Sequence, residues 1–138
     1  MIDVDGSMLE GGGQLLRMTV AYSAIIGKPI RVYKIRAKRE EPGLRPQHLT
    51  AVKAVAELCS ATVEGLEIGS SEVVFSPGAI VGGKHRFDIG TAGSIGLLLQ
   101  CVAPVAAYAE RPTRLEVIGG TSVSRSMPVL MLREVVWR

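Results

Sequence analysis

Shifted by 83 positions, the first half of this chain lies over the second without a gap. Asp5 falls on Asp88, Gly13 on Gly96, Leu15 and Leu16 on Leu98 and Leu99, Pro29 on Pro112, Arg31 on Arg114, Ile35 on Ile118 and Leu49 on Leu132. A repeat of such long period implies copies of one supersecondary unit that pack together. Hydrophobic spacing gives the unit its content. Residues 2–5 alternate as a short strand, and 13–26 carry apolar residues at helical spacing up to Gly27 and Pro29, a helix stop. Residues 30–35 read as a strand, 47–59 as a helix, and 61–66 and 72–75 as two short strands. The second copy offers a strand over 84–89, a helix over 93–108, a strand over 113–118 and the start of a helix over 128–137. The expected architecture is α/β (α+β) with repeated βαβαββ units: one complete repeat over 1–80 and half of a second over 81–138, within one large domain. Because the second copy runs out inside its second helix with no stop signal, the reading expects a portion of a longer protein.

Composition narrows the class. Of the 138 residues 47% are apolar, enough for a folded core. A net charge of +3 is compatible with a phosphate-bearing partner and equally with ordinary solvated lysines and arginines. Cys59 and Cys101 sit in apolar helical stretches, which fits buried thiols in a reducing, cytoplasmic compartment better than a disulfide framework. The acidic start, MIDVDGS, is not expected to act as a signal peptide, and the apolar run over 95–109 is interrupted by Gln100 and Pro104, short of a membrane span. Aromatics at 4% argue against a single-strand-binding surface built on stacking.

Three segments could carry chemistry. In LEGGGQLLR, three glycines precede a helix and are bracketed by Glu10, Gln14 and Arg17. A helix N-terminus has unpaired N–H groups and a partial positive charge, and glycines let a phosphate approach closely. Glu10 could hold a divalent cation there, while Gln14 and Arg17, one turn apart, add donors to the same anion. The same pattern also suits a turn needed only for tight strand-to-helix packing. It is neither a nucleotide P-loop nor a dinucleotide fingerprint. In IRAKREEPGLRPQHL, Arg36, Lys38, Arg39 and Arg45 lie within ten positions, with Gln47 and His48 at the next helix start. Such a loop reads as a phosphate clamp, or as a solvated charge run offset by Glu40 and Glu41. Arg36 and Arg39 can meet only if the chain leaves the strand between them. His48 reads as a satisfied helix-start histidine and His85 as a surface residue. In DIGTAGSIGLLLQ the glycine turn recurs, with Gln100 in the place of Arg17; that amide is either a ligand contact or a buried, hydrogen-bonded group.

The segments DGSMLEGGGQLLR, IRAKREEPGLRPQHLTAVKA, IGTAGSIGLLLQ and EVIGGT together resemble, in order and spacing, the N-terminal portion of archaeal-type RNA 3'-terminal phosphate cyclases. The resemblance implies repeated βαβαββ units like the C-terminal domain of translation initiation factor 3, and a metal-dependent, ATP-binding ligase of RNA processing. Such enzymes convert an RNA 3'-phosphate to a 2',3'-cyclic phosphate through an adenylylated histidine and an adenylylated RNA end. Carried over by motif, Glu10 binds the metal, Mg2+ or Mn2+; Gln14, Arg17, Arg36, Arg39 and Gln47 line the phosphate and RNA site; Gln100 touches ATP. The nucleophilic histidine of the family belongs to its C-terminal part, so no catalytic nucleophile is expected among these residues and the chain alone is expected to be inactive. Ser122, Met127, Pro128 and Leu130 depart from the family's pattern near the adenine. The partners implied are RNA 3' ends and ATP, with no membrane. Self-association is expected through the unfinished repeat, at Leu130, Val135 and Trp137. Two other readings stand beside this one: a non-catalytic cyclase-like protein of ribosome assembly, and a transferase of small phosphorylated metabolites on a related fold.

Overall fold

A computed structural model describes residues 1–90 and 93–121. In chain order the elements are β1 (Ile2–Asp5), α1 (Gly13–Ile26), β2 (Ile30–Tyr33), α2 (Pro46–Cys59), β3 (Thr62–Glu64), β4 (Val73–Ser76), β5 (Gly83–Asp88), α3 (Ile95–Ala107) and β6 (Thr113–Ile118). The first six build a mixed four-stranded sheet in the order β1-β2-β4-β3, with β1 parallel to β2 and the other two pairs antiparallel. The last three form a second parallel strand–helix–strand unit, β5 beside β6. This is the mixed α/β class that the strand and helix periodicities imply.

Alternation decides which face is dry. Ile30 and Val32 of β2 lie across from Phe75 and Val73 of β4, and all four are buried. Arg31 points the other way, where it meets Asp3 and Glu72. In the second unit His85 pairs with Leu115 and Phe87 with Val117. Carrying the pairing Ile2↔Ile30 over by 83 would instead set His85 against Thr113, so the second register is two residues further along. A two-residue step leaves every side chain on its own face. Helix α1 rests on the first sheet, α3 on the second, and α1, α2 and α3 pack against one another. One hydrophobic core therefore joins Leu16, Val20, Val52, Val55 and Phe75 to Leu98, Val102 and Val105.

Helix α1 ends where its stop signal lies. Gly27 adopts φ +66, its N–H reaching back to the Ser23 carbonyl. The buried Ser23 hydroxyl donates to the Lys28 carbonyl at 2.5 Å and fastens the exit of the helix. Ser23→Ala is expected to lower stability by about 1 kcal/mol in denaturant titration.

Strand β2 is shorter than its alternation suggests. Lys34 takes φ +53 and turns the chain out of the sheet, while Ile35 remains buried by bonding to the Ser71 carbonyl. Among the described residues no helix is long and apolar enough to cross a membrane. The helix expected over 128–137, with Ser122, Met127, Pro128, Leu130, Val135 and Trp137, lies outside the described residues.

Candidate phosphate-binding site

Two loops carry the chain from strand ends into helix starts. After β1, Asp5 accepts hydrogen bonds from the Ser7 amide at 2.9 Å and hydroxyl at 2.6 Å, which hold its carboxyl below the ordinary carboxylate range. Leu9 and Gly11 both take left-handed φ, and the Gly11 amide bonds the Met8 carbonyl at 2.9 Å, so the chain coils once before α1 begins. A Cβ on Gly13 would run into the His48 ring and come within 3.1 Å of Arg17 Nη1; one on Gly12 would lie 2.9 Å from Arg39 Nη2. The glycines thus let two arginines and a histidine close on the helix start. The tight packing that the glycines of LEGGGQLLR allow is therefore present at this turn.

After β2, the turn at Lys34 is followed by left-handed Arg36. Arg36 Nη1 donates to the carbonyls of Glu41 at 2.6 Å and Gly43 at 2.9 Å, closing the loop on itself. The chain leaves the strand ahead of both arginines, so Arg36 and Arg39 reach the same space. Pro46 opens α2 at a position where its missing N–H costs nothing. The Arg45 amide donates to His48 Nδ1 at 3.0 Å, and the imidazole so caps the helix.

The N-termini of all three helices open into one cleft of about 670 Å³. From α1 come Gly12, Gly13, Gln14 and Arg17; from α2, Pro46, Gln47, His48 and Thr50; from the start of α3, Gly93, Ser94 and Leu97. Arg36 and Arg39 join them, and no carboxylate stands among the described residues that line it. None of the three helices has an acidic residue in its first turn, so their positive ends are left for something else. Arg17 is 8% exposed and, among the described residues, makes no hydrogen bond or ion pair; burial pulls its pKa below the ordinary arginine value. Burial, followed by the charges of Arg36, Arg17 and Arg45, brings the His48 pKa down to about 4, so the ring is neutral near pH 7. Cys101 lies near Arg17 on the core side, its thiol pushed up to about 11 by burial.

The structure brings Gln14, Arg17, Arg36, Arg39 and Gln47 together in this cleft. Gln100 is half-buried on α3 and does not line it. Glu10 is exposed on the turn before α1, also outside the lining, and no group of three or more His, Cys, Asp or Glu stands ready for a metal among the described residues. The third segment singled out in the sequence, DIGTAGSIGLLLQ, does reach the cleft, through Gly93, Ser94 and Leu97 and not through Gln100; Ser94 is the residue that sequence reasoning missed. Ser94 caps α3, accepting from the Leu97 amide at 3.2 Å, and a serine directly before an apolar run is the signal that could have found it. His85 is not a free surface residue: its side chain is 16% exposed and its Nδ1 lies 3.1 Å from Glu57 of α2.

An α/β fold in which, among the described residues, three helix N-termini and three arginines but no carboxylate face one cleft defines a class of protein suited to an anionic ligand. Comparison with known sequences gives the particular family. The sequence profile of RNA 3'-terminal phosphate cyclase matches residues 8–138, and the chain belongs to that family. It is 56% identical over 136 residues to an RNA 3'-terminal phosphate cyclase of Hyperthermus butylicus, covering 99% of this chain and 38% of that protein. It is 58% identical over 129 residues to one of Methanopyrus kandleri (94% and 37%) and 55% identical over 137 residues to one of Ignicoccus hospitalis (99% and 39%). The chain thus spans about 38% of the length of the curated relatives it matches.

Proposed function

We propose that this chain supplies the phosphate-binding part of an ATP-dependent RNA 3'-terminal phosphate cyclase, and that the terminal phosphoryl group sits at the three helix N-termini. The observation that carries the reading is the buried guanidinium of Arg17 aimed at an acid-free cleft. Left without a protein partner among the described residues, such a cation is balanced by an anion brought from outside. Arg39 closes over Gly12 from the solvent side, and Arg36, fixed by two carbonyls through Nη1, keeps its remaining donors for the ligand. Gln14 and Gln47 add neutral donors at the first turns of α1 and α2. Cyclisation needs in-line positioning and charge neutralisation more than an elaborate base, and this donor set provides both.

ATP is the co-substrate of this reading, with Gln100 its contact on α3. Glu10 is a lone exposed carboxylate, which suits a Mg2+ or Mn2+ ion held mainly by polyphosphate oxygens and water rather than by a protein cage. Such an ion would supply charge neutralisation on the phosphates. Neither histidine of the chain is proposed as AMP acceptor: the Arg45 amide on His48 Nδ1 puts the ring hydrogen on Nε2 and leaves that nitrogen no free lone pair, and His85 is held by Glu57. The nucleophilic histidine is accordingly assigned to residues other than these 138. The compartment is proposed to be the cytoplasm.

An RNA oligonucleotide ending in a 3'-phosphate is expected to bind at least tenfold more tightly than the same oligonucleotide ending in a 3'-hydroxyl, measured by fluorescence anisotropy at fixed salt. Equal affinities would overturn the assignment of the cleft. With α-phosphate-labelled ATP, no label is expected on His48 or His85.

A further inference from the structure

We infer that His48 is a fixed, neutral hydrogen-bond donor to the bound phosphoryl group, acting through Nε2–H with its tautomer set by the backbone. The inference deepens the proposed function and rests on the cleft being a phosphate site.

Three observations carry it. First, the Arg45 amide donates to Nδ1, and a ring nitrogen that accepts cannot bear the proton; in a neutral imidazole the hydrogen is then on Nε2. Second, the ring is 2% exposed yet lines the cleft, and its Nε2 edge lies against Gly13, beside Arg17 Nη1, at the start of α1. Third, Nε2 makes no hydrogen bond among the described residues, where Thr113 Oγ1 is the one side-chain atom both fully enclosed and unpaired, so Nε2 is not sealed away from the cleft that the ring lines. The charged groups facing the ring are Arg17 from α1, Arg36 from the loop after β2, and Arg45 beside it. With three cations around it and no carboxylate, the ring stays neutral and adds a directed N–H without a fourth charge. That suits a site which must release its anion after each cycle. Three arginines set the strength of attraction, and one rigid N–H sets the orientation of an oxygen.

Two substitutions separate this role from mere helix capping. His48→Asn places an acceptor near Nδ1, so it keeps the bond from the Arg45 amide and lacks the Nε2 donor. His48→Gln places an amide N–H near Nε2 and gives up the cap. Inorganic phosphate and the 3'-phosphorylated oligonucleotide serve as probes with the purified protein. His48→Asn is expected to weaken binding by about tenfold or more and His48→Gln to restore most of it. In long-range 1H–15N spectra the Nε2–H resonance is expected to shift on phosphate addition. If His48→Asn binds as the parent does while Arg17→Met does not, the cleft is a phosphate site and His48 only caps α2, which overturns the inference alone. If the parent protein binds neither probe, the proposed function itself falls. Should His48→Asn lose thermal stability along with binding, the spectrum of the parent decides, since an unmoved Nε2–H on saturation excludes donation.

Discussion

Replacing Arg17 by methionine is expected to make the protein more stable and a poorer phosphate binder at once. The guanidinium is buried on α1 between the cleft and the thiol of Cys101, and among the described residues nothing of opposite charge meets it. Keeping an ion there without a partner is a standing penalty in the free protein. Methionine retains the length and flexibility of the stem and fills the same volume without the charge. A gain on the order of 1 kcal/mol in unfolding free energy is expected from that change. Binding moves the other way. Loss of a charge-assisted donor pair is worth roughly 1.5–3 kcal/mol, or about tenfold to hundredfold in affinity for inorganic phosphate. Calorimetry supplies both readings in one set of scans: phosphate raises the Tm of the parent and hardly moves that of the variant. A variant that unfolds more easily and binds phosphate as before would assign the guanidinium to packing.

Acid is expected to weaken the fold before the carboxylates titrate. His48 has its pKa at about 4 in the folded protein, against 6.5 for a free histidine. Between those values the unfolded chain takes up a proton that the folded chain refuses, so stability rises with pH across that window. The contribution is intact above about pH 6.5 and is lost as pH falls toward 4, a change on the order of 3 kcal/mol in total. Denaturant midpoints at pH 7.5 and pH 4.5 read the effect. His48→Asn, which has no ring to protonate, should flatten the curve over that interval while leaving the later acid transition in place. An unchanged slope would place the proton elsewhere.

Local chemistry made most of the fold legible. Gly27 and Pro29 mark the end of α1, and the structure ends the helix at Ile26. Helices α1 and α2 and the strand over 113–118 follow from spacing alone because each has one dry and one wet side. Lys34 was not legible. The alternation runs on through Ile35, and nothing about a lysine announces a left-handed φ; the turn is imposed by the bond from Ile35 to Ser71, some 36 positions away in sequence. The candidate site divides in the same way. Gln14, Arg17, Arg36, Arg39 and Gln47 are visible as polar residues at strand-to-helix junctions, where α/β folds gather ligands. The recurring glycine turn at Gly93 and the cap at Ser94 are visible too, but that they form a third wall depends on how α3 packs against α1 and α2. The clash that a Cβ on Gly13 would make with His48 is equally a property of two helices that meet only in three dimensions.

The walls of the cleft come from both strand–helix units. Gly13, Arg17 and Gln47 belong to the first; Ile89, Ser94 and Leu97 belong to the second, where the Gly120 amide is tied to the Gly93 carbonyl at 2.7 Å and the Ile95 amide to the Gly120 carbonyl at 2.9 Å. An occupant touching both sides is therefore a keystone. While it is seated, neither half can open without expelling it, so amide exchange along α1 and along α3 should slow together, in step with occupancy.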